Sequence, residues 1–128
     1  MIYKKEEEYK ISLKIFIKLN KNTIINEKEI NYIRKEGMKL IFCTNSGEYE
    51  TYSSFNKLAN SLPNNFVRCH KSYMANTENI LNINTVDNTI SFLNLSTCDI
   101  GPKYKNNLME VFNYGNFSNN LDCINDGE

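Results

Sequence analysis

The sequence is poor in the residues that most chemistry needs. It has one histidine, His70, and its five glycines stand apart with no GxGxxG or Walker spacing. A phosphate-cradling loop is therefore not evident. A serine or cysteine hydrolase needs a base held against its nucleophile, but His70 has Arg68, Cys69 and Lys71 around it and no nearby carboxylate to orient it. Cys69 adjoins it in an extended segment, so the two side chains leave on opposite faces and form no dyad. Asp87 and Asp99 are solitary, which leaves no acidic cluster to hold magnesium or accept a phosphoryl group. Cys43, Cys69, Cys98 and Cys123 form no CxxC pair. A structural zinc site takes about four soft ligands at paired spacings, so none is expected. These absences argue against an enzyme, a metal, a cofactor or a small-molecule substrate.

Long apolar runs are also missing. No stretch approaches bilayer length, and Met1-Ile2-Tyr3-Lys4-Lys5-Glu6-Glu7-Glu8 lacks the apolar centre of a signal peptide. The expected location is the cytoplasm, with no membrane partner and with the cysteines as buried free thiols. Net charge is absent too, with 15 basic and 15 acidic residues in 128. Their placement is uneven. Between Lys10 and Asn113 there are 13 Lys and Arg against 9 Asp and Glu, and the acidic excess falls at the two ends. A mildly basic body permits phosphate binding without demonstrating it.

What is present is short-period patterning on the scale of one domain. After a polar lead-in over residues 1–9, the body spans residues 10–114 and an acidic tail, expected to be flexible, follows over 115–128. Ile11, Leu13, Ile15, Ile17 and Leu19 alternate with Ser12, Lys14, Phe16 and Lys18, the period of a strand with one buried face. Lys21-Asn22 marks a turn, and Thr23-Ile24-Ile25 a return strand. Asn26 is placed to cap a brief helical turn through Ile30. Asn31 to Arg34 leads into the next strand, and Met38–Thr44 and Glu48–Tyr52 flank Asn45-Ser46-Gly47 as a hairpin. Ser53 offers an N-cap to a helix with Phe55, Leu58, Ala59 and Leu62 on one face, ended by Pro63. Phe66 to Cys69 reads as a strand, Ile80–Ile83 and Thr89–Leu95 as a hairpin around Asp87-Asn88, and Cys98–Ile100 as a further short strand. Pro102 opens a last helix with Tyr104, Leu108, Met109 and Phe112 on its inner side. The pattern predicts a mostly β domain with two short helices.

One segment stands out: Phe66-Val67-Arg68-Cys69-His70-Lys71-Ser72-Tyr73-Met74-Ala75-Asn76. A turn near His70 pushes His70, Lys71 and Ser72 outward together, with two potential cations and a hydroxyl suited to phosphates and base edges. Read from the residues alone, the segment is more readily a solvated basic turn without a ligand.

The order Phe66, Arg68, His70, Lys71, Ser72, Tyr73, Asn76 resembles the LytTR family of bacterial DNA-binding domains. Glu29-Ile30-Asn31-Tyr32-Ile33, Glu50 to Leu58, Asn79-Ile80 with Ile83, and Ile90-Ser91-Phe92 are similar to that family's flanking elements. The resemblance covers about Ile11 to Phe112. It implies an elongated β-sandwich of short antiparallel sheets that lays loops into successive major grooves of double-stranded DNA, in transcription regulators often bound as dimers to direct repeats. Three segments fall at the family's DNA-facing loops: Lys35-Glu36-Gly37-Met38-Lys39, with Met38 and Lys39; His70-Lys71, flanked by Arg68 and Ser72; and Gly101-Pro102-Lys103-Tyr104-Lys105, with Lys103 and Lys105. Lys39 is the expected phosphate contact, and Lys71 the expected reader of a base edge. Arg68 either contacts the DNA backbone or braces the turn that carries His70. Asn76 and Tyr73 are expected to be structural.

Many family members carry Ser-Arg where this chain has Gly101-Pro102, which removes a guanidinium that could fork onto guanine. Most join the domain to an N-terminal receiver, whereas about ten residues precede the first strand here, as in a stand-alone domain or a fragment of a longer protein. An alternative function is a module that has kept the fold but acts through protein–protein contacts on a full-length regulator. Cys69 and Cys98 flank the second and third loops, and a redox pair forms there if their Cα atoms approach within roughly 6 Å.

Overall fold

The computed structural model describes residues 16–115. The lead-in over residues 1–9, the part of the first expected strand before Phe16, and the tail beyond Gly115 lie outside the described residues. Three antiparallel sheets and two helices make up the rest. β1 (Phe16–Asn20) and β2 (Thr23–Asn26) form a hairpin. The central sheet has the order β5-β4-β3-β7-β6, from β3 (Ile30–Glu36), β4 (Lys39–Thr44), β5 (Gly47–Tyr52), β6 (Phe66–His70) and β7 (Tyr73–Asn76). A third sheet, ordered β10-β9-β8, contains β8 (Ile80–Asn84), β9 (Thr89–Phe92) and β10 (Thr97–Asp99). Helix α1 (Phe55–Ala59) follows β5, and α2 (Pro102–Gly115) follows β10.

The expected alternation holds in β1, where Ile17 and Leu19 are buried while Phe16, Lys18 and Asn20 face solvent. In the central sheet alternation serves both faces, because each face has its own core. Ile33, Leu40, Phe42, Phe66 and Met74 pack with Ile17, Leu19 and Ile25 of the β1-β2 hairpin and with Phe55 and Leu58 of α1. On the other face Val67, Cys69 and Ala75 pack with Ile90, Phe92 and Cys98 of the third sheet and with Leu108 of α2. Burying an aliphatic or aromatic side chain of this kind contributes roughly 1.5–3 kcal/mol. A slip of one residue would exchange the two faces, so the register is strongly fixed.

The structure moves some boundaries. Ser54, not Ser53, caps α1: its Oγ accepts the Lys57 N–H at 3.2 Å from extended backbone. The helix ends at Ala59, and Leu62 reaches the first core from the following loop. On α2 the inward contact is Leu108 with Val111 beside it, whereas Tyr104, Met109 and Phe112 are only half-buried. Among the described residues no helix is long and apolar enough to cross a membrane.

Two 3-10 turns, Glu27–Glu29 and Thr77–Asn79, start the strands β3 and β8, each capped by an asparagine. The second cap, Asn76, is a junction. Its Nδ2 donates to the carbonyls of Ile30 at 2.8 Å and Glu27 at 3.4 Å, and its Oδ1 accepts from Asn65 Nδ2 at 2.7 Å and Glu78 N at 3.0 Å. Asn76 is 1% exposed, so removing its amide leaves buried partners unsatisfied. We predict that Asn76→Ala lowers the unfolding free energy by about 2–3 kcal/mol. The check is urea denaturation, read as a fall in midpoint at unchanged slope. An unmoved midpoint contradicts the assignment.

Candidate nucleic-acid interface

Two of the three segments picked out in the sequence meet at Arg68, and the other joins them through the backbone of Ser72. β6 places Arg68 on the side of α1, where its guanidinium lies over the Phe55 ring at 4.5 Å and near the Tyr104 ring of α2 at 5.3 Å. Its Nη2 donates to the Lys71 carbonyl at 2.7 Å and its Nε to the His70 carbonyl at 3.3 Å. A planar fork that stacks on rings and bonds two successive carbonyls suits arginine and not lysine. These bonds brace the turn between β6 and β7.

That turn is shaped further by His70. The pairing of β6 with β7 shifts register between Arg68 and His70. His70 is not turned fully outward as expected. Its ring packs on Tyr73 with centroids 4.9 Å apart, and its Nδ1 accepts the Ser72 N–H at 3.0 Å. Lys71 is exposed and Ser72 half-buried.

The turn between β3 and β4 lies alongside. The Lys35 N–H donates to the Ser72 carbonyl at 2.8 Å, and Lys35, Gly37, Lys71 and Ser72 line one open hollow. Gly37 has φ +62, the left-handed conformation that favours glycine. The β10-α2 junction closes the group from the other side. The Gly101 N–H donates to the Cys69 carbonyl at 2.8 Å, and a Cβ on Gly101 would lie 3.4 Å from ring carbons of both His70 and Tyr104. Three segments distant in sequence thus form one surface.

A family model described as the LytTr DNA-binding domain matches residues 20–113. The chain belongs to the LytTR family. Among solved structures it is similar to the LytTr DNA-binding domain of a protein described as a methyl-accepting/DNA response regulator from Bacillus cereus. The two are 18% identical with a TM-score of 0.67, over 76% of this chain and 95% of that one. At that identity the likeness speaks for the fold, a mostly β LytTR architecture of antiparallel sheets with two short helices. No curated protein matches the chain. LytTR domains are DNA-binding domains rather than enzymes, and among the described residues no three His, Cys, Asp or Glu gather as a metal-binding group.

The cations of this LytTR domain are not equally available. Lys39, the expected phosphate contact, donates from Nζ to Glu50 Oε1 at 3.0 Å, and its Nζ lies 5.9 Å from the Tyr52 ring centroid. The Glu50 bond holds the Lys39 ammonium above the usual lysine range. Lys103 is exposed, with its Nζ 5.8 Å from the Tyr104 ring. Lys105 is instead tied back, donating to the Thr85 carbonyl in the β8-β9 turn at 3.0 Å. Its place three residues before buried Leu108 puts it on the packed side of α2.

Two further cations, Lys35 and Lys57, adjoin this surface. Lys35 stands in the first loop, but Lys39 is favoured there on the sequence. Lys57 lines a second hollow with Lys35, Gly37, Met38, Tyr52, Ser53 and Ser54. The inward spacing of Phe55 and Leu58 sends Lys57 outward, yet nothing local says that this face adjoins the β3-β4 turn. Behind the surface, the Cys69 and Cys98 sulfurs are 3.9 Å apart, buried and unbridged. The bond to Cys69, with burial, pushes the Cys98 thiol well above the usual range.

Arg68→Lys keeps the charge but replaces the fork with one ammonium. We predict about tenfold faster hydrogen exchange at the Ser72 amide, the equivalent of one charge-assisted bond, with the central strands unchanged. Exchange at the parent rate would show that Arg68 does not brace the turn.

Proposed function

We propose that this LytTR domain binds double-stranded DNA sequence-specifically as a cytoplasmic transcription regulator. In this reading the β3-β4 turn, the β6-β7 turn and the β10-α2 junction enter successive major grooves, with two copies side by side on direct repeats. The observation that carries it is that these three segments adjoin, the second and third at Arg68 and the first through the Lys35–Ser72 backbone bond, with Lys35 and Lys71 on one hollow. Phosphate contacts position such a domain and base contacts specify its site. Lys71, exposed at the tip of the braced turn, is the base reader, while Lys35, Lys57 and Lys103 serve the phosphates. Lys39 joins them when phosphate displaces Glu50, an exposed ion pair of the kind that contributes little. Ser72 takes part through the turn it closes and Lys105 through its hold on the β8-β9 turn.

The test is a gel shift on a duplex enriched from a random pool by this chain. Lys71→Ala weakens binding by about 10- to 100-fold with the fold intact, as expected for one specific base contact, and binding falls steeply with salt. A variant that binds as the parent does removes Lys71 from the contact. A chain that enriches no duplex but co-elutes with a full-length LytTR regulator supports the protein-interaction alternative.

The separation of the Cys69 and Cys98 sulfurs favours a redox reading of the same surface. A peroxide takes two electrons from the pair and is reduced to water or alcohol and water, the two thiol protons leave, and an S–S bond of about 2.05 Å forms. The closure draws β6 toward β10 directly behind His70 and Gly101. Peroxide treatment then removes two free thiols and weakens DNA binding in the parent but not in Cys98→Ser. An unchanged free-thiol count contradicts this reading.

A further inference from the structure

Met38 and Tyr52 are 81% and 78% exposed. Isolated exposed apolar residues are ordinary, but these two share a hollow with Lys35, Lys57, Ser53 and Ser54. Gly37, in its left-handed conformation, turns the chain immediately before Met38. The result is an apolar tip set among cations and hydroxyls, a combination that fits a polyanion with an apolar feature between its charged rails. In the major groove the one apolar group on a base edge is the C5-methyl of thymine. Methionine has no strong donor or acceptor with which to read another base, and its unbranched, polarizable side chain adapts its contact to a small methyl.

We infer that Met38 is a specificity-determining residue that packs on a thymine C5-methyl, with Tyr52 lining the apolar side of the same hollow. This rests on the proposed DNA binding. It assigns the β3-β4 turn a preference for thymine over cytosine, complementing the Lys71 contact on the neighbouring turn. The expected discrimination is one buried methyl, a factor of about four in affinity.

The test uses the duplex enriched by the full chain, resynthesised with each thymine replaced singly by deoxyuridine, which removes only the methyl. At one thymine in a half-site the parent loses about fourfold in affinity, and Met38→Ala, already weaker on the thymine duplex, loses nothing further there. Leu93→Ala truncates an exposed leucine beside Asn79, at the end of the sheet away from the three turns, and keeps the parent's uracil response. If no position separates Met38→Ala from the parent, the inference is overturned while the DNA-binding reading stands. If the chain enriches no duplex at all, both fall.

Discussion

The Arg68 guanidinium is the point on which the surface depends. It stacks on Phe55 and Tyr104 and bonds the carbonyls of His70 and Lys71, so one side chain joins α1, α2 and the β6-β7 turn. Each contact is modest alone, since a hydrogen bond from a charged donor contributes about 1.5–3 kcal/mol. Their shared origin on one rigid plane makes the positions of the three elements interdependent. The Gly101 backbone bond to Cys69 and the Lys35 backbone bond to Ser72 then attach the other two segments. A surface assembled this way is ordered before any ligand arrives, which lowers the entropic cost of binding.

Charge on this surface is sparing and partly neutralised. Lys39 is occupied by Glu50, and Arg34 is held by Glu36 and Glu48 on the outward face of β3-β4-β5. Only a few lysines remain for phosphates, so long-range attraction is limited and recognition depends on the shape of the braced turns. Gly101-Pro102 offers no side-chain donor at the head of α2, so the proposed binding assigns base reading to the other two turns.

Much of the fold was legible because it is local. Period-two alternation located β1, turn residues located the β4-β5 and β8-β9 hairpins, and Pro102 located the start of α2. The run from Phe66 to Asn76 located the second turn, and its resemblance to LytTR indicated which other segments to compare. What was not legible depends on contacts between distant residues. Ser53 and Ser54 are equivalent as caps until the packing of Phe55 fixes the helix phase. Lys105 and Lys103 look alike until α2 is seated by Leu108. Arg68 had two open roles because Phe55 and Tyr104, thirteen residues before it and thirty-six after it, had to be brought to its faces by tertiary structure. The hollow that contains Lys57 is likewise made by elements that local pattern does not join.

The central claim is that three segments, joined by the Arg68 brace and by the backbone bonds of Lys35 and Gly101, act as one DNA-facing surface. Titrating the isotopically labelled chain with its enriched duplex and following backbone amide shifts tests it most directly. The account predicts that amides of residues 35–39, 70–73 and 101–105 shift together at one stoichiometry, while those of residues 93–96 at the other end of the third sheet stay in place. Shifts centred on the outward face of β4 and β5, with the three segments unmoved, would contradict it.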